Sequence, residues 1–399
     1  MKFIEEKAKQ IPLYGEYDVV VVGGGIAGIA AALAATRHGA KTLLVEKQFA
    51  LGGLATLGLV TIYLPICDGC GRQVSFGIAE ELLKLSIAKG WEGRYPEAWL
   101  REDSTLEEKL KQRYMVEFNA QMFMILAEQQ LLRENVEILY GTSVCAAETE
   151  DKKVHTLFIE NKSGRSAIRV KSVVDASGDA DVFALAGAKT VNFSKGNILA
   201  AWYYGTEDGK YMIHPIGCCD VPDNEKDERK GPELLSNRRF TGLDGKELSE
   251  MVEMSHAQVL NHFTAGGKGI CEGHMITTIA TIPQVRMTRR PEGKFTLDVT
   301  DDHKYFEDSV GLISNWKKPG PIYEVPFGSL YGQDLKNVIA AGRCISNTDN
   351  MWDVTRVIPC CSVTGQAAGT AAAMSDDFDA LDVKKLQNAL EKDGVVLHI

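Results

Sequence analysis

Residues 17–30 read YDVVVVGGGIAGIA, and this stretch decides the fold. The four consecutive valines at 19–22 are typical of a parallel strand that is buried on both faces. Three glycines follow at the spacing G-x-G-x-x-G. In such a turn Gly23 permits the sharp bend, Gly25 lets the backbone approach a pyrophosphate, and Gly28 lets the following helix pack closely against the strand.

The next segments complete a βαβ unit. The pattern predicts a helix from Ile26 to His38, and the free N–H groups at its start, including that of Ala27, suit a diphosphate. A second strand is predicted over 42–45. It ends at Glu46, 18 residues after Gly28, close to the ~20 expected for the acid that binds a ribose hydroxyl. These features predict dinucleotide binding; a glycine-rich turn in an unrelated α/β domain is the alternative.

Composition narrows the class of protein. The 399 residues carry a net charge of −10, and 45% of them are apolar, which predicts two to three domains with a real core. The longest basic runs are pairs such as Arg289-Arg290, which argues against nucleic acid as a partner. No stretch approaches the ~18 apolar residues of a membrane span, and the charged N-terminus lacks a signal-type apolar core. We therefore predict a cytoplasmic protein without a membrane partner.

The nine cysteines predict free thiols in a reducing compartment. Cys67 and Cys70 form a C-x-x-C motif, which could be a redox dithiol or half of a zinc site. The motif lies far from Gly53, and the sequence has no second C-x-x-C or histidine pair, so inert thiols and no metal are favoured. Cys360 and Cys361 could face a cofactor or simply fill the core.

The middle of the chain first predicts an antiparallel meander, with strands at 143–148, 156–160 and 167–170. Residues 172–182, SVVDASGDADV, then predict a strand, a turn of small residues and a helix. Asp179 either helps to close this turn over a nucleotide or caps the helix, and both interpretations stay open here.

A closing unit follows near the C-terminus. Residues 337–341 predict another buried strand, and Gly365 is predicted to begin an alanine-rich helix that runs to Ala373. The start of such a helix could stabilise negative charge on a bound cofactor. The alternative is ordinary core packing.

Several segments together resemble the bacterial FAD-dependent oxidoreductase family, and the resemblance extends over about residues 17–375. Its fold is similar to the glutathione-reductase-type FAD domain and distantly similar to fumarate reductase flavoproteins. The segments that carry it are 23–28, Glu46-Lys47, Gly52-Gly53, 174–179, 286–290, 341–346 and 365–369.

The resemblance implies non-covalent FAD and a set of residues around it. The implied fold class is α/β, a Rossmann-like FAD-binding domain with an inserted α+β substrate domain. The residues expected at FAD are Gly23, Gly25, Ile26, Ala27, Gly28, Glu46, Lys47, Gly53, Leu54, Ala55, Thr56, Val144, Ala176, Ser177, Gly178, Asp179, Gly342, Arg343, Gly365, Gln366 and Ala368.

The expected domain organisation is discontinuous. Residues 17–190 and 326–375 are predicted to form the FAD-binding domain, 191–325 the substrate or cap domain, and 376–399 a C-terminal helix and tail. Within the predicted substrate domain, residues 220–231 read as a charged loop.

Arginines are the best candidates for substrate binding. Arg286, Arg289 and Arg290 lie close together in one segment, and two of the three in one strand would point to opposite faces, so at most one face points inward. Arginine stays protonated and binds carboxylates with two parallel hydrogen bonds; ordinary ion pairs are the alternative. Four histidines could act as general acids or bases, and nothing in their spacing selects one: His214, His256, His262 and His274.

The predicted activity is hydride transfer between flavin N5 and a small organic substrate, with a carboxylate among the candidate substrate groups. Oxygen, an electron-transfer partner or a transiently bound nicotinamide would then exchange the second electron pair. A homo-oligomer is compatible with the sequence. The alternatives are a FAD-dependent RNA-modifying protein and a flavin-binding subunit of a redox complex.

Overall fold

The structure is a computed structural model, and it describes residues 4–5, 7–217 and 234–399. The predicted loop at 220–231 and the Cys218-Cys219 pair lie outside these residues. The strands are β1 (Leu13–Val22), β2 (Thr42–Val45), β3 (Ile62–Tyr63), β4 (Val116–Glu117), β5 (Glu137–Leu139), β6 (Ser143–Glu150), β7 (Lys153–Asn161), β8 (Gly164–Asp175), β9 (Thr190–Asn192), β10 (Ala201–Glu207), β11 (Lys210–Ile216), β12 (Met275–Ile279), β13 (Arg289–Pro291), β14 (Ser309–Ser314), β15 (Ile322–Pro326) and β16 (Val338–Ala340).

The helices are α1 (Ile26–Arg37), α2 (Ile78–Ile87), α3 (Glu97–Leu100), α4 (Leu106–Lys111), α5 (Ala120–Arg133), α6 (Asp181–Leu185), α7 (Gly245–Phe263), α8 (Trp352–Thr355), α9 (Ile358–Met374) and α10 (Val383–Lys392).

A parallel sheet forms the centre of the molecule, with strand order β5-β2-β1-β8-β16. Val19, Val20 and Val21 of β1 are completely buried and Val22 is 8% exposed, because β1 lies inside the sheet and α1 and α9 pack on it. Val22 lies beside Val45 on one neighbour and Asp175 on the other. The carboxyl ends of the strands therefore meet at one edge, and the predicted Rossmann-like α/β fold is confirmed.

The predicted meander is also confirmed, with one correction. β6 pairs with β7 and β7 with β8, both antiparallel. The two short strands predicted at 167–170 and 172–175 are a single strand, β8, of 12 residues. Its first half pairs with the meander, and its last three residues pair with β16. β8 therefore pairs both with the antiparallel meander and with the parallel strand β16, which local periodicity does not reveal.

The prediction that a helix begins at Gly365 is wrong. α9 begins seven residues earlier, at Ile358, with Pro359 in its first turn, where proline is tolerated because no N–H is needed. Gly365 lies inside the helix. A Cβ there would approach the carbonyl oxygen of Ala27 to 2.3 Å, and one at Gly369 would approach that of Ala31 to 2.1 Å. These glycines let α9 pack backbone to backbone against α1.

The region between β9 and β13 contains a three-stranded antiparallel sheet, with order β11-β10-β12, and the helix α7 packs on it. A small apolar cluster of Ala201, Tyr203, Val259 and Phe263 joins sheet and helix. The hairpin β14–β15 is different, because Val310 and its neighbours belong to the main apolar cluster. The predicted substrate domain of 191–325 thus includes β14 and most of β15, and β14 packs on α9.

We also searched the helices of the described residues for a membrane span. None of them is long and apolar enough to cross a bilayer.

Candidate active site

A cavity of about 1060 Å³ opens where the parallel strands end. Its walls carry the last residue of β1, Val22, the last residue of β2, Val45, and the residues that follow β8 and β16, Ala176 and Ala341. In open α/β sheets, ligands bind at this edge. The volume lies at the upper end of the range for ligand pockets, ~300–1,000 Å³.

The glycine-rich turn forms one wall of the cavity. Gly23 has a φ of 104°, and a Cβ there would meet the carbonyl oxygen of Ala176 at 2.5 Å. A Cβ on Gly28 would lie 1.8 Å from the oxygen of Gly23. Gly25 is different, because a Cβ there meets no protein atom within 4 Å. Gly25 also precedes α1 and makes no side-chain cap, so the start of α1 is available to an anion.

Glu46 ties this turn to the end of β2. Its Oε2 accepts a hydrogen bond from Gly24 N at 2.6 Å, and its Oε1 accepts one from Gln48 N at 2.7 Å. Burial raises the pKa of the Glu46 carboxyl, and the backbone N–H donors oppose that shift. The carboxyl lines the cavity next to Lys47, at the position predicted for a ribose ligand.

The loop after β2 packs directly on the turn. Gly52 N donates to Gly24 O at 2.8 Å, and the short 3₁₀ turn Gly53–Ala55 follows. Leu54 lines the cavity, whereas Thr56 does not. The Thr56 hydroxyl instead donates to Leu51 O at 2.6 Å. Its placement indicates that it shapes the loop.

Most residues that the resemblance assigns to FAD lie on the cavity wall. They are Gly23, Gly25, Ile26, Ala27, Glu46, Lys47, Gly53, Leu54, Ala55, Val144, Ala176, Ser177, Gly178, Asp179, Gly342 and Arg343. The exceptions besides Thr56 are Gly28, which packs on Gly23, and three residues inside α9, Gly365, Gln366 and Ala368.

The three residues inside α9 that do not line the cavity have other contacts. Gln366 Oε1 accepts a hydrogen bond from Ile78 N at 2.8 Å, so it ties α9 to the start of α2. The part of α9 that reaches the cavity is its beginning, where Val357, Ile358 and Cys361 form the wall. Val357 makes no side-chain cap, so the first N–H groups of α9 are available to negative charge.

The turn after β8 is organised by the buried Asp175. Its Oδ1 accepts from the Ser177 hydroxyl at 2.6 Å, and its Oδ2 accepts from the backbone N–H groups of Val182 and Phe183 at 2.8 and 3.2 Å. Asp175, rather than Asp179, thus satisfies the start of α6. The alternative that Asp179 caps this helix is wrong.

We predict a pH-dependent contribution of Asp175 to stability. Burial raises the pKa of its carboxyl to about 6, whereas an unfolded chain has an ordinary pKa near ~3.9. Between these values the folded protein holds a proton that the unfolded chain releases. The contribution to the free energy of unfolding therefore falls as pH rises through this window, by about 3 kcal/mol. Urea unfolding of wild type and Asp175→Asn across this window should show a steeper fall in wild type, because the raised pKa of other carboxyls such as Glu46 contributes to both proteins; parallel curves would contradict the prediction.

Two of the three arginines share a strand, and Arg286 lies outside it. β13 begins at Arg289, and the residues before it have no regular secondary structure. Arg286 is 5% exposed and lines the cavity. Its Nη2 donates to Gln284 Oε1 at 2.7 Å, and its guanidinium lies 5.6 Å from the ring centroid of Trp202.

The neighbouring arginines point elsewhere. Arg289 Nε donates to Asp179 O at 2.9 Å, and its Nη2 pairs with Asp181 Oδ1 at 2.9 Å. Arg290 Nη1 donates to the Ser346 hydroxyl at 3.1 Å. Neither residue lines the cavity. Arg289 is therefore not a candidate for substrate contact in this cavity, because its guanidinium bonds to Asp179 in the turn and to Asp181 in α6.

A second group of wall residues has no signal in the sequence. Apolar and aromatic side chains from the β3 region, β10, α7 and the loop before Arg286 close the cavity away from the glycine turn. They include Leu57, Val60, Ile62, Leu64, Trp202, Leu248, Val252, Ile282, Pro283 and Trp316. The amphipathic pattern of α7 indicates a buried face, but it does not distinguish a face that packs in the core from one that lines a cavity.

The cysteines and histidines add little chemistry. Cys67 is buried and Cys70 exposed, and no cluster of three metal-ligating side chains exists among the residues with described coordinates. Cys361 lines the cavity, but burial raises the pKa of its thiol to about 12. His214 and His262 border a separate, smaller cavity of about 380 Å³.

Two curated proteins share part of this sequence. A thioredoxin reductase of Ureaplasma parvum serovar 3 is 32% identical over 126 residues, which are 32% of this chain and 35% of that protein. A dihydrolipoyl dehydrogenase of Trypanosoma brucei brucei is 57% identical over 42 residues, 10% of this chain and 9% of that protein. The chain thus spans about a third and about a tenth of these relatives.

Solved structures resemble a larger part of the chain. A geranylgeranyl bacteriochlorophyll reductase-like protein of Thermoplasma acidophilum has a TM-score of 0.45 and 16% identity, with 96% of this chain and 83% of that chain covered. An open flavocytochrome c3 fumarate reductase has a TM-score of 0.38 and 15% identity, with coverage of 91% and 79%.

The family comparison covers nearly the whole molecule. The family described as FAD dependent oxidoreductase matches residues 18–199 and 194–390. The matched residues include the glycine turn, the turn after β8 and the first half of α9, which all contribute to the cavity wall. The chain therefore belongs to the FAD dependent oxidoreductase family, and it is an enzyme with FAD as its cofactor.

Proposed function

We propose that this enzyme binds FAD non-covalently in the strand-end cavity and transfers a hydride between flavin N5 and a small organic carboxylate. The bound flavin supplies the hydride chemistry, and the protein supplies binding, orientation and charge. One observation carries the proposal: the buried cation of Arg286 lines the same cavity as the glycine-rich turn.

The residues present fit the cofactor. Gly25 leaves open a space that a Cβ would enter without touching protein, as a close backbone approach to a diphosphate requires. The beginnings of α1 and α9 both line the cavity and have no side-chain cap. The first suits the diphosphate, and the second would stabilise negative charge on the reduced ring.

The opposite part of the cavity suits an organic anion. Arg286 has a guanidinium that stays charged in proteins, and the Trp202 ring lies beside it on the cavity wall, 5.6 Å from ring centroid to guanidinium. A carboxylate could accept from this guanidinium. The surrounding apolar wall excludes water, which strengthens such a contact.

Substitution of Arg286 tests this assignment. We expect Arg286→Leu to weaken the binding of benzoate, used as a carboxylate probe, by at least about 30-fold, because removal of one partner from a buried charge pair costs about 2–5 kcal/mol. Perturbation of the flavin absorbance on titration measures the affinity. Arg238→Leu, at a half-exposed arginine paired with Glu250, is the matched control. Unchanged benzoate affinity in the Arg286 variant would remove the substrate assignment.

Acid precipitation tests the non-covalent attachment. Cys361 is the cysteine on the cavity wall of the described chain, and burial raises the pKa of its thiol to about 12. Little thiolate is therefore present to attack a flavin. We expect FAD in the supernatant; colour retained by the pellet would contradict this.

The remaining assignments are proposed at a coarser level. Residues 17–190 and 326–375 would bind FAD, 191–325 would supply most of the substrate wall, and 376–399 would support the core. Oxygen, an electron-transfer partner or free nicotinamide would exchange the second electron pair, and a homo-oligomer fits this arrangement. Anaerobic reduction followed by oxidation with each acceptor distinguishes these routes.

A further inference from the structure

We propose that Asp179 is a positioning residue that couples occupancy of the FAD site to the position of Arg286. The two parts involved are the cofactor turn, residues 176–179, and the arginine segment, residues 284–289. The inference rests on the proposed function, because it takes the cofactor turn to contact FAD and Arg286 to face the substrate.

Asp179 forms three contacts with the arginine segment or its support. Its Oδ1 accepts from the Thr288 hydroxyl at 2.7 Å and from Arg343 Nη2 at 2.6 Å. Its backbone oxygen accepts from Arg289 Nε at 2.9 Å. The Asp179 and Arg343 side chains are both largely buried, at 16% and 15% exposure, so solvent screens this pair weakly.

Arg343 provides a second route between the two parts. Its Nη1 donates to Val285 O at 2.6 Å, next to Arg286. The same guanidinium fits against Gly178, where a Cβ would lie 2.4 Å from Arg343 Nε. One side chain therefore contacts the cofactor turn with one edge and the arginine segment with another.

Asn197 holds the arginine segment from the opposite side. Its Oδ1 accepts from the backbone N–H groups of Arg286 and Met287 at 2.8 and 3.0 Å, and its Nδ2 donates to Met287 O at 2.6 Å. Residues 284–288 have no helix or strand of their own. Their position therefore depends on side-chain hydrogen bonds from Asn197 and from Asp179.

The consequence is a coupling between two ligands. A cofactor that orders the cofactor turn also orders Asp179, and through it Thr288, Val285 and Arg286. Arg286 is then fully positioned only in the FAD-loaded enzyme. Because such coupling is reciprocal, a carboxylate bound at Arg286 also tightens FAD binding by the same factor.

Hydrogen–deuterium exchange tests the coupling without a substrate. Thr288→Val removes the hydroxyl that Asp179 accepts from; Thr288 is 1% exposed and does not line the cavity. In wild type we expect FAD to slow exchange of the Arg286 and Met287 amides at least about tenfold. In Thr288→Val at saturating FAD, that slowing should fall below about threefold, while protection of residues 23–28 persists. Thr288→Ser, which keeps the hydroxyl, should behave as wild type.

The outcomes separate the two proposals. FAD protection of 23–28 without any effect at Arg286 and Met287 in wild type overturns the coupling and leaves the FAD site intact. Full protection of both amides in Thr288→Val overturns the Asp179–Thr288 contact as the carrier of the coupling and leaves only the Arg343 contact with Val285. If FAD protects neither region in wild type, the placement of FAD in this cavity is wrong, and the coupling is overturned together with it.

Discussion

Gly25→Val is expected to abolish FAD binding and leave the fold intact. Gly25 has a φ of −69° and an extended ψ of −178°, which valine adopts readily. A Cβ there meets no protein atom within 4 Å, so the larger side chain extends into the cavity. It would fill the space where a diphosphate approaches the start of α1. We expect the purified variant to be colourless, with FAD affinity lowered by at least about 1,000-fold and wild-type circular dichroism.

Two other glycines provide the controls. Gly269 also has open space around its Cβ position but lies outside the cavity, so Gly269→Val should keep full flavin occupancy. At Gly28 a Cβ would lie 1.8 Å from Gly23 O, so Gly28→Val should fail to fold. A folded Gly25→Val protein with wild-type flavin absorbance would show that the diphosphate is not bound at this turn.

Gly369→Ala is expected to cause a large loss of stability from a single added methyl group. A Cβ at Gly369 would lie 2.1 Å from Ala31 O and 2.8 Å from Ala31 Cα. These are backbone atoms of α1, so relief requires α9 and α1 to move apart. Overpacking of this kind costs about 1–3 kcal/mol, and we expect the upper end of that range in urea unfolding.

The same substitution at another helical glycine is the matched control. Gly245 is the first residue of α7 and has no atom within 4 Å of its Cβ position. Gly245→Ala should be neutral or stabilising by up to about 1 kcal/mol, because alanine loses less backbone entropy in a helix. Equal stability of the two variants would contradict close packing of α9 on α1.

The part of the cavity wall formed by the first βαβ unit could be predicted from the sequence because its geometry is local. Gly23, Gly25 and Glu46 belong to one continuous βαβ unit, and the backbone of that unit requires these residue types at these spacings. The cofactor turn was readable for the same reason, since a strand of small and branched residues leads straight into it. The sequence left open whether Asp179 caps α6, and the structure places Asp175 there instead.

The start of α9 was predicted wrongly because the glycines that suggested it serve a contact with a distant part of the chain. Gly365 and Gly369 resemble the opening of a helix, but their small size serves the contact with α1. A glycine in one sequence does not show whether a turn, a ligand or another helix requires it.

Hydrophobic periodicity and the glycine spacing by themselves determined the parallel sheet and predicted a dinucleotide at its strand-end edge, since these depend on residues close together in the chain. The resemblance to the FAD-dependent oxidoreductase family then specified FAD as that dinucleotide. Only the tertiary structure decided which arginine faces the cavity. Arg286 and Arg289 are three residues apart in sequence, yet Arg289 pairs with Asp181 and Arg286 lies beside Trp202. That choice depends on Asn197, Asp179 and Arg343, which reach the segment from distant parts of the chain. Long-range hydrogen bonds leave no periodic signal in a sequence, and they decide where a buried charge points.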